Sequence, residues 1–232
     1  MSTKDHDFPP GLGGPATGAL LAAGYVRLQQ LTEVTEAELG RLHGMGPKGL
    51  RILRETLAVT GRSFAGTERD PVLETRDEQP YAAIGIEVTL RTWGEANALV
   101  AEVAGWLGRH GIAPAGPPFF RYHVLGGMDE KYELEVGFPV TGPVPPDERV
   151  RAGSMPAGRY ATLVHHGHPD QQGHSHAALD KWAAGQGLEW QTSRRDGREV
   201  WGCRFESYLT DPAEQPDPAR WSIRISYQVR TR

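Results

Sequence analysis

Residues 204–212 place one carboxylate, Glu206, among aromatic side chains and end in an Asp-Pro turn. Burying a carboxylate without a partner is costly, so we expect Glu206 to be exposed, paired with a neighbour, or available to a ligand. Because side chains alternate along a strand, Tyr208 should share the Glu206 face, whereas Phe205 should lie on the opposite face and pack under the helices. The candidate partners within the chain are Arg204, Arg121 and Arg224.

A carboxylate in an aromatic, low-dielectric pocket has a definite chemistry. It attracts a cation strongly, because the interaction is poorly screened there. Aromatic faces add cation–π attraction and contacts that tolerate variation in ligand shape. The combination predicts binding of flat, apolar cations.

Composition limits the other functions. The chain has 232 residues, a net charge of -4 and a single cysteine. The negative charge argues against a general binder of nucleic acid or anionic membranes. One cysteine excludes an intrachain disulfide and a cysteine-based metal cluster. Residues 1–10 lack the apolar core of a signal peptide, and no apolar run reaches the length of a membrane span, so we expect a cytoplasmic protein.

Periodicity divides the chain into three parts. Residues 15–60 show helical spacing of apolar side chains, and Thr35 with Glu38 has the form of a capping box at a helix start. Residues 61–78 contain glycine, proline and mixed charge without periodicity. We therefore predict an all-α domain over 8–64, a linker over 65–78 and a second domain over 79–232.

The second domain repeats one order of elements. The alternation of side chains predicts strands, and helical spacing predicts helices, in the order β-α-β-β in each half. The predicted ranges are 81–91, 95–110, 119–125 and 132–138 in the first half, then 159–165, 175–186, 199–209 and 221–229 in the second. The fold class is therefore α+β, with duplicated βαββ units forming an antiparallel-rich sheet. Two helices should cover one face, leaving a concave ligand groove on the other.

Three segments together resemble the GyrI-like family of ligand-binding domains, related to those of multidrug-responsive transcription activators. They are P-P-F-F-R-Y-H at 117–123, P-A-G-R-Y-A-T-L-V-H at 156–165 and R-F-E-S-Y-L-T-D-P at 204–212. The resemblance covers residues 72–232. It implies a pocket lined by aromatic residues with a glutamate at its base, which corresponds to Glu206. Tyr122 and Tyr160 occupy matching strand positions and, with Tyr208, are the expected ligand-binding residues.

The same resemblance implies an alternative function. Some GyrI-like proteins are hydrolases that open cyclopropane rings in toxic natural products, which would also confer drug resistance. In that case Glu206 would activate water or stabilise positive charge, and Tyr160 or Tyr208 would hold the water or the leaving atom, without a metal or another cofactor. The expected partner in either case is a small-molecule ligand or xenobiotic, and the sequence does not indicate an oligomeric state.

The segment L-H-G-M-G-P-K at 42–48 resembles the hairpin of helix-hairpin-helix proteins, and residues 8–64 resemble the C-terminal domain of bacterial RNA polymerase α subunits. The backbone N–H groups of such a hairpin, with Lys48, would hold a phosphate. Acidic and basic residues balance over residues 1–68, however, which provides little of the electrostatic affinity that DNA binding requires. A docking or scaffold role is therefore favoured over contact with nucleic acid.

The histidines between His165 and His176 raise the possibility of a metal site. No cysteine accompanies them, and they lie at a predicted strand-to-helix connection. We expect no physiological metal there, and we expect His174 or Ser175 to cap the following helix. Cys203 falls inside a predicted strand and should be unreactive.

Overall fold

The computed structural model describes residues 6–59, 62, 64 and 71–231. The chain divides into two compact units. The first comprises Met1–Arg69, His165–Ala178 and Pro212–Trp221, and the second comprises Asp70–Val164, Leu179–Asp211 and Ser222–Arg232. The domain limits drawn from the sequence stay predictions.

The first unit contains short helices at the positions that helical spacing indicates. They are α1 (Gly14–Ala22), a 3-10 helix (Leu28–Glu33), α2 (Glu36–Gly40) and α3 (Pro47–Val59). The predicted capping box is present, because Thr35 Oγ1 accepts from the Glu38 N–H (3.1 Å) and Glu38 Oε2 accepts from the Thr35 N–H (2.9 Å). Leu20, Leu31 and Leu53 are buried at its core.

The second unit holds nearly all of the strands, the whole of one long helix and half of another. The strands are β1 (Val72–Arg76), β2 (Gln79–Val88), β3 (Phe119–Val124), β4 (Tyr132–Pro139), β5 (Arg151–Met155), β6 (Gly158–His166), β7 (Thr192–Arg195), β8 (Arg198–Trp201), β9 (Arg204–Tyr208) and β10 (Ser222–Gln228). The helices are α4 (Trp93–Arg109) and α5 (Gln172–Gly185). Among the described residues, no helix is both long enough and apolar enough to cross a lipid bilayer.

The main sheet has eight strands in the order β1-β6-β10-β9-β3-β4-β2-β5 and is strongly curled. The predicted α+β class and the repeated β-α-β-β order are confirmed: β2-α4-β3-β4 forms the first repeat, and β6-α5-β9-β10 forms the second. The repeats meet where β3 pairs with β9 at the centre of the sheet.

The two edge strands of the main sheet were not predicted from the sequence. Strand β1 precedes the first repeat but pairs with β6 of the second, and β5 precedes the second repeat but pairs with β2 of the first. Residues Val72–Arg76 lie in the range predicted to be a linker, and they form the edge strand β1. The five-residue strand is too short for its period to be read from the sequence, and pairing with β6 stabilises it.

The predicted strand over 199–209 is two strands. Gly202 and Cys203 separate β8 from β9, and the Gly202 N–H donates to the Gln191 carbonyl (2.7 Å). A Cβ at Gly202 would lie 2.7 Å from Gln191 Cγ and 3.0 Å from the Gln191 carbonyl oxygen, so a larger residue here would displace Gln191. Strand β8 forms a two-stranded sheet with β7, while β9 joins the main sheet.

The main sheet has two different faces, which we call the helix face and the far face. On the helix face, Ala82, Ile84 and Val136 pack against Leu99 and Val103 of α4. Trp190, which follows α5, donates to Asp180 of that helix (3.1 Å) and contacts the ring of Tyr227. Tyr227 is the cross-strand neighbour of Arg204, and both side chains are on the helix face. Both helices are therefore on one face, as predicted.

The far face has a separate core. Its buried side chains are Tyr81, Ala83, Phe119, Met155, Tyr160, Cys203 and Phe205. Because strands β3 and β9 have buried residues on both faces, neither shows the alternation of polar and apolar residues that marks a strand with one exposed face.

Candidate functional site

Glu206 lies at the centre of the sheet on the helix face. It pairs in register with Phe120 of β3 on one side and with Ile225 of β10 on the other. Its side chain is buried, with 5% of the residue surface exposed. The ligand groove was expected on the face away from the helices, and that expectation is wrong for Glu206, which lies on the same face as the α4 core.

Tyr122 holds the Glu206 carboxylate. The Tyr122 hydroxyl donates to Glu206 Oε2 at 2.9 Å, and Tyr122 itself is buried. Burial, followed by the nearby charge of Glu206, raises the pKa of Tyr122 well above its usual value. The phenol therefore stays protonated at neutral pH and remains a hydrogen-bond donor to the carboxylate.

Aromatic rings surround this pair. Trp93 stacks on Phe120 and on Tyr122 with centroids 6.2 Å apart in both cases, and it meets Tyr132 edge-on at 5.3 Å. Tyr208 contacts Phe120 at 5.2 Å. These distances fall in the range of favourable aromatic pairs. We call the set made of Glu206, Trp93, Phe120, Tyr122, Tyr132 and Tyr208 the Glu206 cluster.

Part of the cluster was predicted from the sequence. Tyr122 and Tyr208 were expected with Glu206, and the structure brings the three together on one face. Trp93 was not predicted, because the helix was expected to begin at residue 95, whereas α4 begins at Trp93 itself. The signal was available: Trp93 lies three residues before Ala96 and seven before Val100, which is the spacing of the buried face of the helix.

Tyr160 does not belong to the Glu206 cluster. Its ring contacts Phe205 on the far face with centroids 6.0 Å apart, and its hydroxyl donates to the Pro156 carbonyl at 2.7 Å. The expectation that Tyr160 joins Glu206, as a ligand-binding or catalytic residue, is corrected by this placement. Phe205 and Cys203 were expected under the helices and are instead in the far-face core.

The three arginines considered as partners of Glu206 lie in different places. Arg121 pairs in register with Phe205, and Arg224 pairs with Ser207, so both are on the far face. There Arg121 donates to the Tyr81 hydroxyl (2.6 Å) and to the Ser154 carbonyl (2.8 Å).

Arg204 is on the helix face with Glu206. Its guanidinium carbon lies 4.7 Å from the Trp201 ring centroid and 4.2 Å from that of Tyr227, which is the distance of a cation–π contact. Within the described residues, the buried Nε of Arg204 has no hydrogen-bond partner. Its charge also reaches Tyr132, whose pKa is raised by burial and lowered in part by Arg204. Arg204 therefore contributes a positive charge beside the cluster.

The histidines between His165 and His176, and Cys203, are surrounded by other groups of the protein. His165 is buried, with Nδ1 2.8 Å from Ser175 Oγ and Nε2 3.1 Å from the His168 carbonyl oxygen. The His168 ring accepts from the Asp170 N–H at 3.2 Å. No group of three or more His, Cys, Asp or Glu side chains suited to a metal occurs in the part of the chain that the structure describes. Burial raises the pKa of the Cys203 thiol, which disfavours the reactive thiolate.

The predicted hairpin lies between α2 and α3 of the first unit. Gly44 has a φ of 98°, and a Cβ there would lie 2.8 Å from the Pro15 carbonyl oxygen, so this position requires glycine. Met45 is buried, whereas Lys48 is exposed in the first turn of α3.

Most of the chain matches a known family model. A family model described as "GyrI-like small molecule binding domain" matches residues 69–230. Comparison with curated proteins gives no match.

Several solved structures share the fold, including the following three. The C-terminal domain of EcmrR superposes with a TM-score of 0.57 at 16% identity, covering 72% of this chain and 99% of that domain. EcmrR in a complex with DNA gives a TM-score of 0.57 at 16% identity, and 70% of this chain is covered. An uncharacterized conserved protein from Listeria innocua gives 0.50 at 12% identity, covering 71% of this chain and 94% of the other. The match spans only 57% of the EcmrR chain in the DNA complex, and at these identities the likeness shows the fold alone.

Proposed function

The chain belongs to the GyrI-like family of small-molecule-binding domains, and on that premise we propose that the Glu206 cluster binds amphipathic molecules that are cationic or electrophilic, in the manner of multidrug recognition. The observation that carries the proposal is the Glu206 carboxylate itself, which is 5% exposed, hydrogen-bonded to Tyr122 and surrounded by aromatic rings.

The charge of the site supports a cationic ligand. A carboxylate surrounded by aromatic side chains attracts a cation far more strongly than one in water, because the surroundings screen it poorly. Tyr122 supplies one hydrogen bond to the carboxylate, and a neutral phenol does not cancel its charge. A bound cation therefore gains electrostatic energy that a neutral molecule of the same shape does not.

The rings support an apolar, flat or multi-ring ligand. Trp93, Tyr132 and Tyr208 are each partly exposed, while Phe120 is buried behind them. Each partly exposed ring offers apolar surface and a negative π-face, with cation–π attraction of about 0.5–2 kcal/mol per favourable contact. Rings impose few directional demands, so such a site accepts ligands of varied shape.

Comparing the affinity for a cation with the affinity for a neutral molecule of similar shape tests the proposal. We expect isothermal titration calorimetry to show saturable binding of tetraphenylphosphonium, a permanent cation, at least tenfold tighter than of neutral triphenylphosphine oxide. Equal affinity for the two, or tighter binding of the neutral compound, would reject the cationic class.

The second candidate function is hydrolysis of a cyclopropane-bearing electrophile. It is favoured by the buried Glu206 carboxylate, which Tyr122 orients through a hydrogen bond to Oε2, because a carboxylate held in this way is suited to accept a proton from an attacking water. The water oxygen would bond to a ring carbon as the strained carbon–carbon bond breaks. The released electron pair would pass to a conjugated carbonyl, which takes up the proton. Mass spectrometry of the incubated compound distinguishes the functions: a gain of one water indicates turnover, and unchanged mass with binding indicates a binder.

For residues 8–64 we propose a helix-hairpin-helix domain of the kind found in RNA polymerase α subunits, acting as a docking or scaffold element. The left-handed Gly44 and the exposed Lys48 at the start of α3 support this proposal. A gel shift at low salt tests the alternative of DNA contact. If the hairpin binds DNA, the native chain should retard the DNA and Lys48→Ala should not.

A further inference from the structure

The far face of the sheet contains a pocket that is separate from the Glu206 cluster. Its volume is about 390 Å³, which is within the range of small-molecule sites. The residues that define it are Arg76, Phe119, Tyr160, Phe205, Ser207 and Arg224, and we call it the far-face pocket. Phe205 and Ser207 alternate with Glu206 along β9, so the two sites lie on opposite sides of the same strand.

Aromatic rings form the base of the far-face pocket. Phe119, Tyr160 and Phe205 are almost fully buried, and the Tyr160 and Phe205 rings meet edge to face with centroids 6.0 Å apart. Their rotamers are fixed by this packing, so a flat ligand would meet a rigid apolar surface and little side-chain entropy would be lost on binding.

Arg76 forms one wall and is held in place. Its Nε and Nη2 donate to Glu74, and Nη2 also donates to Thr162 (3.3 Å) and Ser226 (3.2 Å). Its guanidinium carbon lies 5.3 Å from the Tyr160 centroid and 5.2 Å from that of Phe205. Arg76 therefore extends the flat surface of the rings with a planar cation.

Arg224 forms the other basic group and is less engaged. Within residues 71–231, its guanidinium makes no hydrogen bond or ion pair, and its attraction to Glu74 acts at longer range. Burial raises the pKa of Glu74, but hydrogen bonding and charge from Arg76, with Arg224, lower it more, so the carboxylate remains ionised at neutral pH. The single negative charge of Glu74 thus interacts with the two positive charges of Arg76 and Arg224, which leaves one positive charge in excess on this side of the pocket.

Two acidic residues, Asp77 and Glu78, also line the far-face pocket. Both are exposed, so water and salt screen their charges. The positive charge of Arg224 lies beside the Ser207 hydroxyl, because the two residues are paired in register on β10 and β9. A guanidinium and a hydroxyl on one side of an aromatic base are suited to a carboxylate attached to a ring.

We propose that the far-face pocket is a second ligand site, which binds a small planar aromatic carboxylate with its ring on Phe205 and its carboxylate at Arg224 and Ser207. The two sites of the domain therefore prefer ligands of opposite charge. This site does not depend on the function proposed for the Glu206 cluster.

The test uses 2-naphthoate as the probe and calorimetry with the full chain. We expect saturable binding that weakens at least tenfold in Arg224→Gln, which replaces an exposed side chain and should leave the fold intact. Arg159→Gln, an exposed arginine on β6 that is outside the pocket, is the matched control and should bind like the native chain. Neutral 2-naphthamide should bind at least tenfold more weakly than 2-naphthoate.

Four outcomes would overturn the proposal. They are no saturable binding of 2-naphthoate up to millimolar concentration, equal weakening in Arg224→Gln and Arg159→Gln, equal affinity for the amide, and loss of 2-naphthoate binding in Glu206→Gln. The last outcome would place the probe on the helix face. Failure of tetraphenylphosphonium to bind would reject only the proposal for the Glu206 cluster, so the two proposals fail separately.

Discussion

Tyr122 donates its hydroxyl to the Glu206 carboxylate across the junction of β3 and β9, with 2.9 Å between Oη and Oε2. These strands come from different repeats and meet at the centre of the sheet. The hydrogen bond therefore links the two halves of the domain at the point where the aromatic rings converge. It fixes the direction of the carboxylate before any ligand arrives.

Replacing Tyr122 with Phe should change the alkaline stability of the protein. Burial and the charge of Glu206 raise the pKa of Tyr122 in the folded state above the usual 10.0. A raised pKa means that the contribution to stability is present below the unfolded pKa and is lost as pH rises above it. We expect the native chain to lose stability above about pH 10 more steeply than Tyr122→Phe. At pH 8 the variant should be less stable by about 1 kcal/mol, from the lost hydrogen bond.

Urea unfolding followed by circular dichroism at pH 8 and pH 11 measures this effect. An identical alkaline loss in the native chain and in Tyr122→Phe would show that Tyr122 does not titrate as the geometry requires.

Tyr208 and Tyr160 should respond differently, because they lie on opposite faces of the sheet. Tyr208 contacts Phe120 of the Glu206 cluster, whereas Tyr160 contacts Phe205 in the far-face core. Tyr208→Leu should weaken tetraphenylphosphonium binding about three- to tenfold through loss of a ring contact. Tyr160→Phe should leave the affinity within twofold, although it loses the hydrogen bond to Pro156. Calorimetry on the two variants measures both affinities, and a larger loss of affinity in Tyr160→Phe than in Tyr208→Leu would contradict the assignment of faces.

Replacing Arg204 with Met should strengthen binding of a cation. Arg204 lies on the helix face two residues from Glu206, and its charge opposes an incoming cation. Methionine keeps an apolar chain against Trp201 and Tyr227 while removing the charge. We expect tetraphenylphosphonium to bind roughly two- to tenfold tighter, with a smaller gain at high salt. Titrations at two salt concentrations measure the change, and weaker binding would show that Arg204 supports the site rather than opposing the cation.

Replacing Gly44 with Ala should destabilise the first unit. The residue has a φ of 98°, and an added Cβ would lie 2.8 Å from the Pro15 carbonyl oxygen. The positive φ and the close approach both disfavour alanine, and we expect them to lower the free energy of unfolding by about 1–3 kcal/mol. Gly46→Ala is the matched control, because a Cβ there meets nothing within 4 Å. Thermal unfolding compares the two variants, and equal stability would mean that the hairpin does not pack as described.

Much of this architecture followed from local patterns in the sequence. The capping box at Thr35 and Glu38 needs only residue types at a fixed spacing, and the structure contains both of its hydrogen bonds. The repeated order of strands and helices follows from the change between periods of 2 and 3.6. The common face of Glu206 and Tyr208 follows from strand alternation alone.

The choice of face was beyond local pattern. Phe205 and Cys203 on one side of β9 are as apolar as the partners of Glu206 on the other, so nothing in the strand indicates which side α4 covers. Tyr160 resembled a site residue by position, and only the pairing of strands shows that it lies on the far face. The edge strand β1 was missed for a similar reason, since its partner β6 is remote in sequence.

The most direct test of the central claim is calorimetric titration of tetraphenylphosphonium into the native chain and Glu206→Gln, with triphenylphosphine oxide as the neutral control. Glutamine keeps the size of the side chain and removes its charge. We predict that the variant binds the cation at least tenfold more weakly, equivalent to about 1.4 kcal/mol or more, and binds the neutral compound within twofold of the native chain. Unchanged affinity for the cation in a folded Glu206→Gln variant would contradict the role of Glu206 as the anchor for cationic ligands.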